Sequence, residues 1–139
     1  MARDFDGASD YLERTSIGVS GPPLTLACWF NADTVTANHA LVTLSDNSLD
    51  AFSMIARGNV DDAIQALSLE GGSSDFAVTT STYSADTWHH AAAVFTSSTS
   101  RDAFLDGGSK GSDTASSAPS GIDRVVIGRA IPASESCAQ

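Results

Sequence analysis

Lysine and glutamate are nearly missing from this chain: there is one lysine, Lys110, and only three glutamates, Glu13, Glu70 and Glu135. These long unbranched residues are the usual builders of helix surfaces, so their scarcity disfavours helix before any pattern is read. Positive charge is scarce as well. Seven basic residues stand against seventeen acidic ones, a formal net charge of −10. Such a surface repels phosphate backbones and argues against nucleic acid as a partner. No apolar run approaches the roughly 20 residues that a spanning helix requires, so membrane insertion is not expected. The opening Met1-Ala2-Arg3-Asp4-Phe5-Asp6-Gly7 carries no apolar secretory stretch, and either synthesis without signal-directed export or a trimmed amino terminus is expected. Cysteine is limited to Cys28, inside an apolar segment, and Cys137, third from the end. A Cys28–Cys137 bridge stays open, but the reading adopted is a buried free thiol and a loose terminal one.

What is present is a chain of 139 residues that is 42% hydrophobic, enough for one domain with a real core. The polar remainder is mostly Ser, Thr, Asp and Gly, the residues of strands and turns. Short β-like runs recur between turn clusters. They are expected at Asp10–Glu13, Leu24–Phe30, His39–Leu44, Phe52–Ala56, Ala63–Leu69, Phe76–Thr80, Trp88–Phe95, Arg101–Leu105 and Arg124–Ile127. In Leu24–Phe30 strict alternation puts Leu24, Leu26, Cys28 and Phe30 on one face and Thr25, Ala27 and Trp29 on the other. Trp88–Phe95 is apolar on both faces and reads as a central strand. Asp106-Gly107-Gly108 is a hairpin signal requiring positive φ, and Ser109–Gly121 reads as a long loop with room for a short edge strand. No linker or fixed-period repeat divides the chain, so residues 1–139 are read as one domain. The spacing predicts a sandwich or jelly roll.

Three segments in order carry a family likeness: Phe5-Asp6-Gly7-Ala8-Ser9-Asp10-Tyr11-Leu12, then Leu24–Phe30, then Thr87-Trp88-His89-His90-Ala91-Ala92-Ala93 followed by Phe104-Leu105-Asp106-Gly107. Together they resemble the laminin G-like branch of the concanavalin A-like lectin/glucanase jelly rolls, over residues 5 to 129. The resemblance implies an all-β fold, an antiparallel two-sheet jelly-roll sandwich. Asp6-Gly7 is expected to form a tight turn that brings Phe5 and Tyr11 onto a common core.

Candidate contact residues are few. Trp29 and Trp88 are either sugar-stacking platforms or core aromatics, and strand context favours the core. His39 is the third candidate for glycan or loop contact. His89 and His90 are consecutive and so face opposite sides of a strand; no carboxylate motif accompanies the three histidines, and structural roles are expected. Glycan hydrolysis needs two carboxylates on one face, and the isolated glutamates supply no such pair. No G-x-S-x-G nucleophile motif occurs either. An enzyme is not expected. Two loop clusters, Asp46, Asn47 and Asp50, and Asn59, Asp61 and Asp62, have the oxygen chemistry for Ca²⁺ without the pattern of a known calcium loop. Solvated turn carboxylates are the plainer reading.

The chain departs from the resemblance at its end. Such jelly rolls close with one more apolar strand, whereas Ala130–Gln139 has none. This predicts an unpaired edge beside the Arg124–Gly128 strand, either in a shortened variant of the fold or in a chain that assembles with others to cover it. Together with the missing export signal, the resemblance then points to a virion surface or decoration protein of tailed phages, made in the host cytoplasm, with glycan contact as an added role. The alternatives are a carbohydrate-binding module of a secreted, extracellular protein and, less favoured, a small glycan hydrolase.

Overall fold

The computed structural model describes residues 2–6, 9–46 and 48–129. Ten strands and no helix are found among them: β1 (Leu12–Thr15), β2 (Leu24–Phe30), β3 (Asn38–Ser45), β4 (Ala51–Arg57), β5 (Ala63–Glu70), β6 (Ser73–Val78), β7 (His89–Ser97), β8 (Ser100–Leu105), β9 (Gly108–Asp113) and β10 (Arg124–Ile127). They form a six-stranded sheet, β1-β10-β3-β4-β5-β6, and a four-stranded sheet, β2-β7-β8-β9. Every pairing is antiparallel. The expected all-β sandwich is what the chain builds.

The core lies between the sheets. β2 contributes Leu24, Leu26 and Phe30, β4 contributes Phe52, Met54 and Ala56, and β7 contributes Ala91, Ala93 and Phe95. Alternation selects these residues, and their small alanines let Phe52 and Phe95 meet edge to face at 5.0 Å between centroids, a favoured aromatic geometry. The most buried strand is β4, not β7. β4 is covered along both faces, while the outward residues His90, Ala92 and Val94 of β7 are only half-buried.

β2 stacks over β3 and β4, β7 and β8 over β5, and β9 over β6. The sandwich closes along β6 and β9: Thr80 N–H donates to the Ser109 carbonyl at 3.1 Å, and Gly111 lies so close to the Val78 carbonyl that a Cβ would collide with it. At the opposite side β10 and β1 extend the larger sheet past β3, and Val125 of β10 packs against the core.

Two expectations are corrected. The strand Arg124–Ile127 has no free edge, since β3 pairs with one side of it and β1 with the other; the first strand supplies the cover expected from another chain. Tyr11 is outside the core, 38% exposed, under the Arg129 guanidinium at 3.7 Å. Ser109–Gly121 holds the short edge strand it had room for, since residues 109–113 belong to β9 at the edge of the smaller sheet, and the remainder is loop. Ala130–Gln139, on which the expectation of no closing strand falls, and Cys137 lie outside the described residues.

Arg101, in β8, is 1% exposed although charged. It pairs with the Asp113 carboxylate and donates from Nη2 to the Ala115 carbonyl at 2.9 Å and the Ser98 carbonyl at 3.3 Å. It ties the loop after β9 to the sheet. Removing one partner of a buried ion pair leaves the other desolvated and unpaired. Arg101→Met, which keeps the aliphatic packing, is therefore expected to cost about 2–3 kcal/mol, read as a lower urea midpoint at unchanged slope.

Candidate functional site

The outward face of the four-stranded sheet carries the exposed aromatics. Alternation in β2 sends Leu24, Leu26 and Phe30 inward and leaves Thr25, Ala27 and Trp29 outside. The β2–β7 register places Trp29 opposite His90, and their rings meet edge on at 5.4 Å. The next row across the sheet is Ala27, Ala92 and Phe104, and the row beyond it is Thr25, Val94, Asp102 and Ser112. Lys110 sits over the Phe104 ring at 5.9 Å and pairs with Asp102 at 3.0 Å. Trp88, one residue before β7, shares the parity of His90.

Trp29 is 67% exposed and Trp88 52%. The favoured expectation, core aromatics, is thus overturned for both. The signal was in the sequence, because alternation had already set Trp29 on the face opposite Leu24, Leu26 and Phe30. His39, on β3 of the other sheet, is removed from these tryptophans; its Nε2 lies 3.3 Å from the Thr34 carbonyl, a contact that anchors the preceding loop.

One end of the face is braced by a carboxylate that sequence reading missed. Asp106 and Gly107 form the two-residue turn between β8 and β9, at φ +52° and +75°, the pattern of a type I′ turn. Asp106 Oδ1 accepts the His90 N–H at 2.8 Å, and the Asp106 N–H returns to the His90 carbonyl at 2.8 Å. Its Oδ2 lies 2.8 Å from His89 Nδ1. On the other side of the ring, Ser84 N–H donates to Nε2 at 3.2 Å. Nε2 is therefore the acceptor and Nδ1 carries the proton given to Asp106. The neighbouring rings of Phe30 and Tyr83 hold the imidazole in place, at 5.8 and 6.3 Å. The W-H-H and D-G signatures, far apart in sequence, are two halves of one clasp. The expectation that no carboxylate accompanies the histidines is corrected by it.

Ser84 Oγ also lies 3.3 Å from His89 Nε2, which completes a Ser–His–Asp constellation. A general base needs a free lone pair on that nitrogen, and the Ser84 N–H occupies it. The arrangement locks a tautomer; it does not activate a nucleophile. A fluorophosphonate probe is accordingly expected to leave Ser84 unlabelled, as judged by intact mass.

The calcium candidates are dispersed. Asp46 Oδ1 accepts the N–H groups of Ser48 and Asp50 at 2.7 and 3.1 Å. Asp50 Oδ1 accepts from Gly71 N–H at 2.7 Å, and Oδ2 from Ser120 N–H at 2.7 Å. Those bonds, Gly71's foremost, hold the Asp50 carboxyl below the usual range. Asn47 lies outside the described residues. In the second cluster Asp61 pairs with Arg57 at 3.1 Å, Asp62 takes a turn conformation at φ +52°, and Asn59 is exposed. No group of three or more His, Cys, Asp or Glu suited to a metal occurs among the described residues.

Comparison with known proteins gives a consistent picture. A laminin G family model, described as the Concanavalin A-like lectin/glucanases superfamily, matches residues 6–137. Among solved structures, the mouse laminin alpha1 chain, domains LG4-5, has a TM-score of 0.59 and 17% identity. That match covers 86% of this chain and 31% of the solved chain, so it speaks for the fold. No curated protein matches.

The clasp has a pH signature. The His90 N–H first, and the His89 ring second, hold the Asp106 carboxyl below its ordinary value. A depressed carboxylate stabilises the fold above its unfolded pKa, near 4, and that contribution is lost as pH falls through the lower folded value. Asp106→Asn sets an amide N–H₂ or a lone acceptor against donors on both sides. It is expected to cost about 1 kcal/mol at neutral pH, with the gap to the unaltered protein narrowing below about pH 4 in denaturation curves.

Proposed function

The chain belongs to the concanavalin A-like lectin/glucanases superfamily, as a laminin G-like domain, and on that premise we propose that it is a non-catalytic binding and assembly module. Domains of this kind commonly contact proteins and glycans. The observation that carries the reading is the pair of exposed tryptophans, Trp29 and Trp88, on the outward face of one sheet. Indole rings held on a rigid sheet give flat apolar area at little entropic cost. The surrounding charge of −10 favours neutral or basic partners over anionic ones.

The setting we propose is the surface of a tailed-phage virion, where the domain joins other chains as an adhesion or decoration component and touches glycans through this face. The exposed aromatic face, which a surface component would turn toward its target, supports that setting. A carbohydrate-binding module of a secreted protein is the second reading, and the exposed tryptophans favour it equally. Neither reading requires Ca²⁺ at the Asp46 or Asp61 loops, whose carboxylates already accept N–H groups or pair with Arg57.

Both readings place the contact on the same residues. On a glycan array, Trp29→Ala is expected to weaken any hit at least about tenfold, or about 1.4 kcal/mol. Phe76→Ala, on the other sheet, is the control and is expected to bind normally. The virion setting predicts co-sedimentation with capsid or tail proteins. A chain that bound no glycan and joined no such particle would overturn the proposal.

A further inference from the structure

The outward face of the four-stranded sheet is complementary to itself, and we propose that it joins a second copy of this chain, face against face. Charge singles this face out. The outward positions of β2, β7, β8 and β9 bear one carboxylate, Asp102, and one ammonium, Lys110, paired at 3.0 Å. Asp102 also accepts from Ser112 Oγ at 2.6 Å. The face is formally neutral, on a chain of net charge −10. The acidity lies instead in turns and on the other sheet, as with Asp50, Asp61, Asp75 and Asp106. Two copies repel through any of those surfaces and can approach closely only through a neutral one. A basic partner would be drawn to the acidic turns rather than to this face.

The relief of the face fits its own two-fold image. Trp29 projects from β2, steadied by the edge of the His90 ring at 5.4 Å. The next row of the sheet is low, because Ala27 and Ala92 lie side by side there. Rows on one face are about 7 Å apart, so knob and hollow are neighbours. In an isologous pair each copy presents the same patch. An axis running along the rows, between Trp29 and Ala27, sets the indole of each copy on the alanines of the other. The same rotation brings Trp88 over Val94. The four strands span roughly 20 Å by 20 Å, so the pair buries on the order of 1,000 Å² in all, near the lower bound of a specific interface. The contact is therefore weak and reversible. A glycan asks for several hydrogen-bonding groups around the stacking ring. Beside Trp29 stand alanines instead, and Lys110 and Ser112 are already engaged by Asp102. The inference rests on the reading of this face as the contact surface, and it names the partner for the assembly role.

Sedimentation velocity of the whole chain tests it, between about 1 and 300 μM protein and at about 20 and 500 mM NaCl. A monomer–dimer equilibrium is expected within that range. It should tighten at least about threefold at the higher salt, because screening removes the repulsion between like-charged copies while apolar burial persists. Trp29→Ala and Ala27→Gln are each expected to weaken it at least about tenfold. The second fills the hollow, leaves the indole in place, and alters an exposed position that the core does not use. Phe76→Ala, on the other sheet, should dimerise like the unaltered chain. A chain monomeric throughout, a dimer that both face variants keep, or one that salt weakens would overturn the proposal. Glycan hits lost in Trp29→Ala by a chain that stays monomeric would defeat this inference and leave the contact face standing. A dimer lost in Trp29→Ala by a chain that binds no glycan would uphold it.

Discussion

The apolar slab between the two sheets is the constraint on which everything else depends. With no helix among the described residues and no disulfide between them, face-to-face burial, closed along one side by the Thr80–Ser109 hydrogen bond, holds the layers at a fixed separation. Phe52 from one sheet and Phe95 from the other meet at its centre, framed by alanines at 56, 66, 91, 93 and 103. Small residues opposite large ones allow dense packing without strain. Because β2 and β7 must turn their apolar parity into this slab, their other parity, Trp29 and His90 included, is committed to the outside. The exposed aromatic face is a consequence of the core.

The acidity of the chain takes on a different meaning in three dimensions. A sandwich of ten strands has many turns whose N–H groups lack a strand partner, and such groups need acceptors. Carboxylates provide them. Asp6 accepts from Ser9 and Asp10, Asp50 from Gly71 and Ser120, Glu70 from Ala118, and Asp106 from His90. Several of these bonds join loops that are far apart in sequence, which ties the rim of the sandwich together. Of the loop carboxylates that suggested calcium, Asp46 and Asp50 are thereby engaged by main-chain donors and Asp61 by Arg57. Burial also quiets the thiol at the free edge: desolvation pushes Cys28 up to about 11, so it stays protonated at neutral pH.

Much of the fold was legible in the residues. Runs of alternating polarity located nine of the ten strands, and Asp106-Gly107 located the β8–β9 hairpin, because both signals are local. Strand order was not legible from pattern. Nothing in Leu12–Thr15 shows that it pairs with Arg124–Ile127, more than a hundred residues later, and the expected open edge was misplaced for that reason. The clasp was half legible. His89, His90 and Asp106 belong to recognisable motifs, yet their hydrogen bonds depend on β7 and β8 being neighbours. The tryptophans were misjudged because residue type was weighed above parity, although parity in β2 pointed outward.

The sequence by itself determined the class of fold and the single-layer periodicity of each strand. These depend on composition and on i, i+2 spacing, which a chain carries whatever its neighbours. The tertiary structure alone decided which apolar residues face water, which carboxylates are already engaged and which strands lie side by side. Those properties belong to pairs of distant segments, and the free energy that selects them is that of packing one whole sheet on another.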